Sequence, residues 1–106
     1  SLYQLKLSVS QETNSFLEDE ADSFVFEVFD HDKKQVSLQS FAMQAKMKCC
    51  GRLVQPKKTL LLGDSKKACQ VSGLKLSKGQ WLLQIDLKIN GRDYFLTHEY
   101  EVDENL

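Results

Sequence analysis

Apolar side chains recur at every second position through most of this 106-residue chain, and the clearest instance lies near its end. From Trp81 the odd positions Leu83, Ile85, Leu87 and Ile89 are apolar; beyond Asn90-Gly91 the even positions Tyr94, Leu96, Tyr100 and Val102 take over. Asn-Gly between two alternating runs predicts a β-hairpin, because both central residues of a type I′ turn need positive φ. A two-residue loop also sets the register. Ile89 should face Arg92, Leu87 Tyr94, Ile85 Leu96, Leu83 His98 and Trp81 Tyr100, so that apolar positions of one strand meet mostly apolar positions of the other.

The same period of two runs back through the chain. Leu2 to Val9 alternates as a half-buried strand, and Ser10 to Asp22 is polar and acidic, which predicts a connecting loop. Phe24 to Phe29 is apolar on both faces and predicts a central strand. Asp30 to Gln35 has the composition of a turn. Val36 to Cys50 follows as an extended run of about fifteen residues, long enough to require a break near Gln39-Ser40. Its odd positions Phe41, Met43, Ala45, Met47 and Cys49 form one apolar face, and Gly51 ends it. Val54 to Lys58 reads as a turn or edge, Thr59 to Leu62 as a short strand, Gly63 to Lys67 as a turn, and Ala68 to Leu76 as another strand. The pattern predicts an all-β fold, an immunoglobulin-like antiparallel β-sandwich of about seven strands, in one domain over residues 1–106. Its expected core is Leu5, Leu7, Phe26, Val28, Met43, Met47, Trp81, Leu83, Ile85, Leu87, Tyr94 and Leu96.

Composition narrows the function classes. Fourteen basic against fifteen acidic residues leave a net charge of −1, without the basic footprint that binding to nucleic acid requires. The doublets Lys33-Lys34, Lys57-Lys58 and Lys66-Lys67 fall at expected turns and read as solvated loop tips. No apolar run approaches the roughly 18 to 20 residues of a membrane helix. The chain starts at Ser1, so it reads as a processed or excised piece whose membrane segment, if it has one, lies outside it.

Candidate chemistry is sparse. Gly-x-Ser-x-Gly, a Gly-rich phosphate loop, His-Glu-x-x-His and Cys-x-x-Cys are all missing, and Glu27, Asp86, Glu99 and Glu101 fall on outward positions where burial would not tune a carboxyl group. No catalytic residue, cofactor or enzyme activity is expected. Asp30-His31-Asp32 reads as a hairpin turn rather than a metal clasp, and His98 as a histidine at the sheet margin. Met43, Met47, Cys49, Cys50 and His98 carry donors suited to copper(I). Alternate positions on a strand nevertheless fan out about 6.5 to 7 Å apart, whereas a site needs its donors to converge, so the stripe is expected to be core and the metal set empty. A chelating Cys49-Cys50 pair would need a distortion of the strand there. A bridge from either one to Cys69 depends on Cα separation and stays open.

The hairpin also carries a resemblance. Leu76-x-x-Gly79-x-Trp81, followed by Leu83, Ile85, Leu87, the Gly91 turn and an aromatic strand, resembles the L-x-x-G-x-W segment of FixH-like and YtkA-like domains. Phe24 to Val36 is similar to their V-x-V-x-D-x-D-G-x-P-V strand-turn-strand. Lys33-Lys34 stand where that family has Gly, Gln35 stands where it has Pro, and Cys49-Cys50 has no counterpart. The resemblance implies a small extracytoplasmic β-sandwich, periplasmic or on the cell surface, tethered to a membrane in the full-length protein and associated with cytochrome oxidase or copper-site assembly. The expected function is therefore non-enzymatic binding of a protein partner, with an edge strand as the docking element. The alternative is an immunoglobulin-like adhesion or receptor-interaction domain of a cell surface or virus.

Overall fold

The structure is a computed structural model that describes residues 6–12 and 22–103, with side chains from Ser23 onward. Eight strands run in chain order through these residues, which contain no helix: β1 Lys6–Glu12, β2 Asp22–Phe29, β3 Ser40–Met47, β4 Leu53–Val54, β5 Lys58–Leu62, β6 Ala68–Leu74, β7 Gly79–Ile89 and β8 Arg92–Val102. One sheet has the order β1-β2-β6-β5 and the other β4-β3-β7-β8, with every pairing antiparallel. This is the strand order of an immunoglobulin-like sandwich, whose first sheet is A-B-E-D and whose second is C′-C-F-G.

The hairpin forms in the expected register, from Ile89 opposite Arg92 to Trp81 opposite Tyr100. Asn90 and Gly91 have φ of 50° and 77°, as the type I′ turn demands. The odd positions of β7 from Trp81 to Ile89 are all buried. They meet Phe24, Phe26 and Val28 of β2 and Cys69, Val71 and Leu74 of β6, while Phe41, Met43 and Ala45 of β3 extend the same layer. Phe26 and Phe41 join the sheets with ring centroids 5.3 Å apart. Met47, Tyr94 and Leu96 are half-buried and pack on this core from its margin. Of the remaining expected core residues, Leu5 and the Leu7 side chain lie outside what is described.

The long run Val36 to Cys50 divides for two separate reasons. At its start the chain crosses between the sheets: Val36 N–H donates to the Val28 carbonyl of the first sheet, and Gln39 N–H donates to the Lys88 carbonyl of the second. β3 accordingly begins at Ser40. At its far end β3 stops at Met47, so the placement of Cys49 on the core face is corrected: Cys49 and Cys50 are exposed in a turn. Gly51, with φ of 70°, closes that turn by donating its N–H to the Met47 carbonyl at 2.8 Å, and Met47 N–H donates to the Arg52 carbonyl at 2.8 Å. A glycine in the left-handed region lets β4 double back at once.

Two other boundaries shift. β1 continues through Ser10, Gln11 and Glu12, which pair with Val25, Phe24 and Ser23. Backbone pairing needs no apolar side chains, so a polar stretch taken for loop extends the ladder. β6 ends at Leu74, just past a bulge at Gly73, whose φ is 73° and whose position a Cβ could share with Lys57 only at 2.5 Å.

Candidate functional site

Two features at the margins of the second sheet hold most of the exposed chemistry: the β3–β4 turn and the edge strand β8. In the turn, Lys48, Cys49, Cys50 and Gly51 connect Met47 to Arg52, and Lys48 N–H donates to the Gln80 carbonyl at 2.9 Å, which fastens the turn to the start of β7. The two sulfur atoms lie on one side, 2.9 Å apart, as free thiols. Cys50 has its pKa lowered, first by the hydrogen bond to the Cys49 thiol and then by the backbone N–H of Arg52, whose guanidinium adds a smaller effect. Cys49 moves the other way, chiefly because it shares a hydrogen bond with Cys50. The pair is thus asymmetric, with Cys50 the more acidic sulfur.

An open groove beside the turn is lined by Met47, Lys48, Cys49, Lys78, Gly79 and Gln80. Gly79 has φ of 141°, which favours glycine there, and a Cβ at that position would also displace the Met47 methyl 2.9 Å away. Lys48 reaches across β7 and its ammonium donates to the Glu99 carboxylate on β8, which holds the Glu99 pKa below its ordinary value.

The five copper candidates do not converge. Met43 and Met47 are four residues apart on β3, about 13 Å along the strand, and Met43 is buried opposite Ile85. His98 lies half-buried opposite Leu83, one inner row below Met47 and beyond β7. Only Cys49 and Cys50 come together, with Met47 lining the adjacent groove. Cys69 is remote from them in environment as well as in sequence: it is fully buried opposite Phe26 and Leu61, and burial pushes its thiol up to about 11. All three cysteines are free. In the Asp30 turn the Oδ1 atom of Asp30 accepts the N–H groups of Asp32 and Lys34, while His31 and Asp32 are exposed 3.4 Å apart. That aspartate serves the turn. Among the described residues no group of three or more His, Cys, Asp or Glu is placed to hold a metal ion.

β8 is the second feature. It runs for eleven residues at the edge of its sheet, with β7 on one side only among the described residues. In a two-residue hairpin the residues flanking the turn form a hydrogen-bonded pair, so Arg92, Tyr94, Leu96, His98 and Tyr100 aim their backbone groups at β7. Asp93, Phe95, Thr97, Glu99 and Glu101 aim theirs at the open edge. Phe95 is 59% exposed on the outer face, and the charged residues sit toward the two ends of the strand, leaving Tyr94 to His98 uncharged in the middle.

The outward set of β8 was readable from the hairpin register, whereas the Lys48–Glu99 pair was not: it links residues 51 apart in sequence through a diagonal across β7. The approach of the two thiols had one local signal, the glycine directly after Cys50.

No family model matches the chain, and no curated protein matches it. Among solved structures it is similar to a DUF4426 family protein from Pseudomonas aeruginosa PAO1, with a TM-score of 0.63 and 13% identity over 98% of this chain and 100% of that one. At that identity the likeness is one of fold, a two-sheet β-sandwich shared over nearly the whole length.

Proposed function

We propose that this domain is a non-enzymatic binding module of a membrane-associated extracytoplasmic protein, and that it takes a protein partner on the open edge of β8. The observation that carries this reading is the edge itself. Natural sheets keep exposed edges short, bulged or charged, because unpaired N–H and C=O groups recruit foreign strands. Of the other edge strands, β4 has two residues, β5 has five, with Pro56 before it and Lys58 at its start, and β1 has seven, with Lys6 and Glu12 at its ends. β8 has eleven and is uncharged in its centre. An extended segment added there would bond to Phe95, Thr97 and Glu99, with Phe95 offering an apolar contact on the outer face.

The finer reading, a FixH-like or YtkA-like domain acting in cytochrome oxidase or copper-site assembly, is supported by the turn after β2. Lys33, which stands where those domains have glycine, adopts a left-handed φ of 64°. The turn therefore keeps the backbone that glycine would serve, with Asp30 bracing it. The test is a photo-crosslinking residue at Phe95 of the protein in its native membrane. Capture of an oxidase-assembly component from Phe95, and none from Leu60 on the opposite sheet, supports the proposal. Capture of a host or cell-surface receptor instead favours the adhesion reading, and equal capture from both positions contradicts docking on β8.

A further inference from the structure

We propose that Cys49 and Cys50 form a thiol–disulfide exchange site for small anionic disulfides, with Cys50 as the attacking sulfur and Cys49 as the resolving one. The turn supplies what the exchange needs. Both sulfurs are exposed and lie 2.9 Å apart on one side of a hairpin loop whose shape is held by the Gly51, Met47 and Lys48 backbone hydrogen bonds. The sulfur next to the Arg52 N–H is the one whose anion is better stabilised, since it also accepts a hydrogen bond from the Cys49 thiol.

The surroundings select the substrate class. Lys46 runs alongside the turn, its Cε 3.8 Å from where a Gly51 Cβ would stand, and Lys78 lines the groove with Cys49. Lys46 and Arg52 bring positive charge to the turn, while the Lys48 ammonium is paired with Glu99. A disulfide bearing carboxylates, such as glutathione disulfide, is drawn to such a site and a neutral one is not.

The exchange balances in two steps. The Cys50 thiolate attacks one sulfur of R–S–S–R, forming a Cys50–S–S–R bond and releasing RS⁻. That thiolate takes the Cys49 proton and leaves as RSH. The Cys49 sulfur then attacks the Cys50 sulfur, forming the Cys49–Cys50 disulfide and releasing the second RS⁻. Two protein thiols are oxidised and one small disulfide is reduced. Adjacent residues across a trans peptide have Cα atoms about 3.8 Å apart, shorter than the roughly 4.4 to 6.8 Å usual for disulfides. The ring is accordingly strained and easily reduced again, which suits a reversible response rather than a structural bridge.

The experiment treats the reduced protein with glutathione disulfide and follows it by intact mass and stopped-flow kinetics. Wild type is expected to lose two hydrogens, while Cys49→Ser should halt with one glutathione attached and Cys50→Ser should react about tenfold more slowly. Replacing glutathione disulfide with neutral 2-hydroxyethyl disulfide should slow the first step at low salt, and high salt should remove the difference. Equal rates for Cys49→Ser and Cys50→Ser, or a wild-type protein that stops at the mixed adduct, would overturn the assignment of roles. Reaction of the buried Cys69 at a comparable rate would contradict a site confined to the Cys49–Cys50 turn.

Discussion

Phe24 of β2 and Tyr100 of β8 meet edge to face across the sandwich, their ring centroids 5.7 Å apart and their planes at 83°. β8 is an edge strand whose inner side chains are only half-buried, and this contact ties it to the opposite sheet. Tyr100→Ala should destabilise the domain by about 2 kcal/mol, combining the aromatic pair with lost apolar burial. Urea denaturation checks this, and hydrogen exchange should show β8 opening before β7.

Trp81 is the largest fully buried side chain, and its indole N–H donates to the Ser77 carbonyl at 2.8 Å. Trp81→Ala is expected to cost about 3 to 5 kcal/mol, the usual range for truncating a core aromatic. Trp81→Phe should cost less, since Phe refills most of the volume and the freed carbonyl belongs to an exposed residue. Thermal melts of the two variants, compared with wild type, measure both effects.

The hairpin that holds Trp81 was legible in the sequence down to individual residue pairs, because turn chemistry and alternation specify the same register. The sandwich followed from repetition of that pattern. What local pattern could not supply was where a long alternating run stops. The start of β3 at Ser40 agrees with the break expected near Gln39-Ser40, but the odd-position pattern runs on to Cys49, past the point where β3 stops at Met47 and the Met47, Gly51 and Arg52 backbone closes a turn. That is why Cys49 was expected in the core and lies exposed. The open edge of β8 needed both register and sheet order, and only the register could be read from the chain.

Lys48 and Glu99 tie the β3–β4 turn to β8, and their pairing should respond to pH in one direction. The folded-state pKa of Glu99 is lowered by Lys48, so the pair stabilises the domain above the unfolded value near 4.5 and loses that contribution as pH falls through the lowered folded value. Both groups are solvent-accessible, so the effect should also fade with added salt. A double-mutant cycle with Lys48→Met and Glu99→Gln, run at neutral pH, at acid pH low enough to protonate Glu99 in the folded state, and in high salt, should show coupling only in the first condition.

Docking on the open edge of β8 is tested most directly by Thr97→Pro. Proline lacks the N–H that Thr97 directs away from β7, so it should remove a bond to an added strand and leave the β7–β8 ladder intact; Leu96→Pro, by contrast, removes a ladder bond and should unfold the hairpin. Phe95→Ser serves as a second variant that leaves the backbone unchanged. The readout is capture of the partner by a photo-crosslinking residue at Glu101, alongside Trp81 fluorescence as a check of the fold. With native Trp81 fluorescence, Thr97→Pro is predicted to abolish capture and Phe95→Ser to weaken it, whereas full capture by both folded variants would contradict docking on β8.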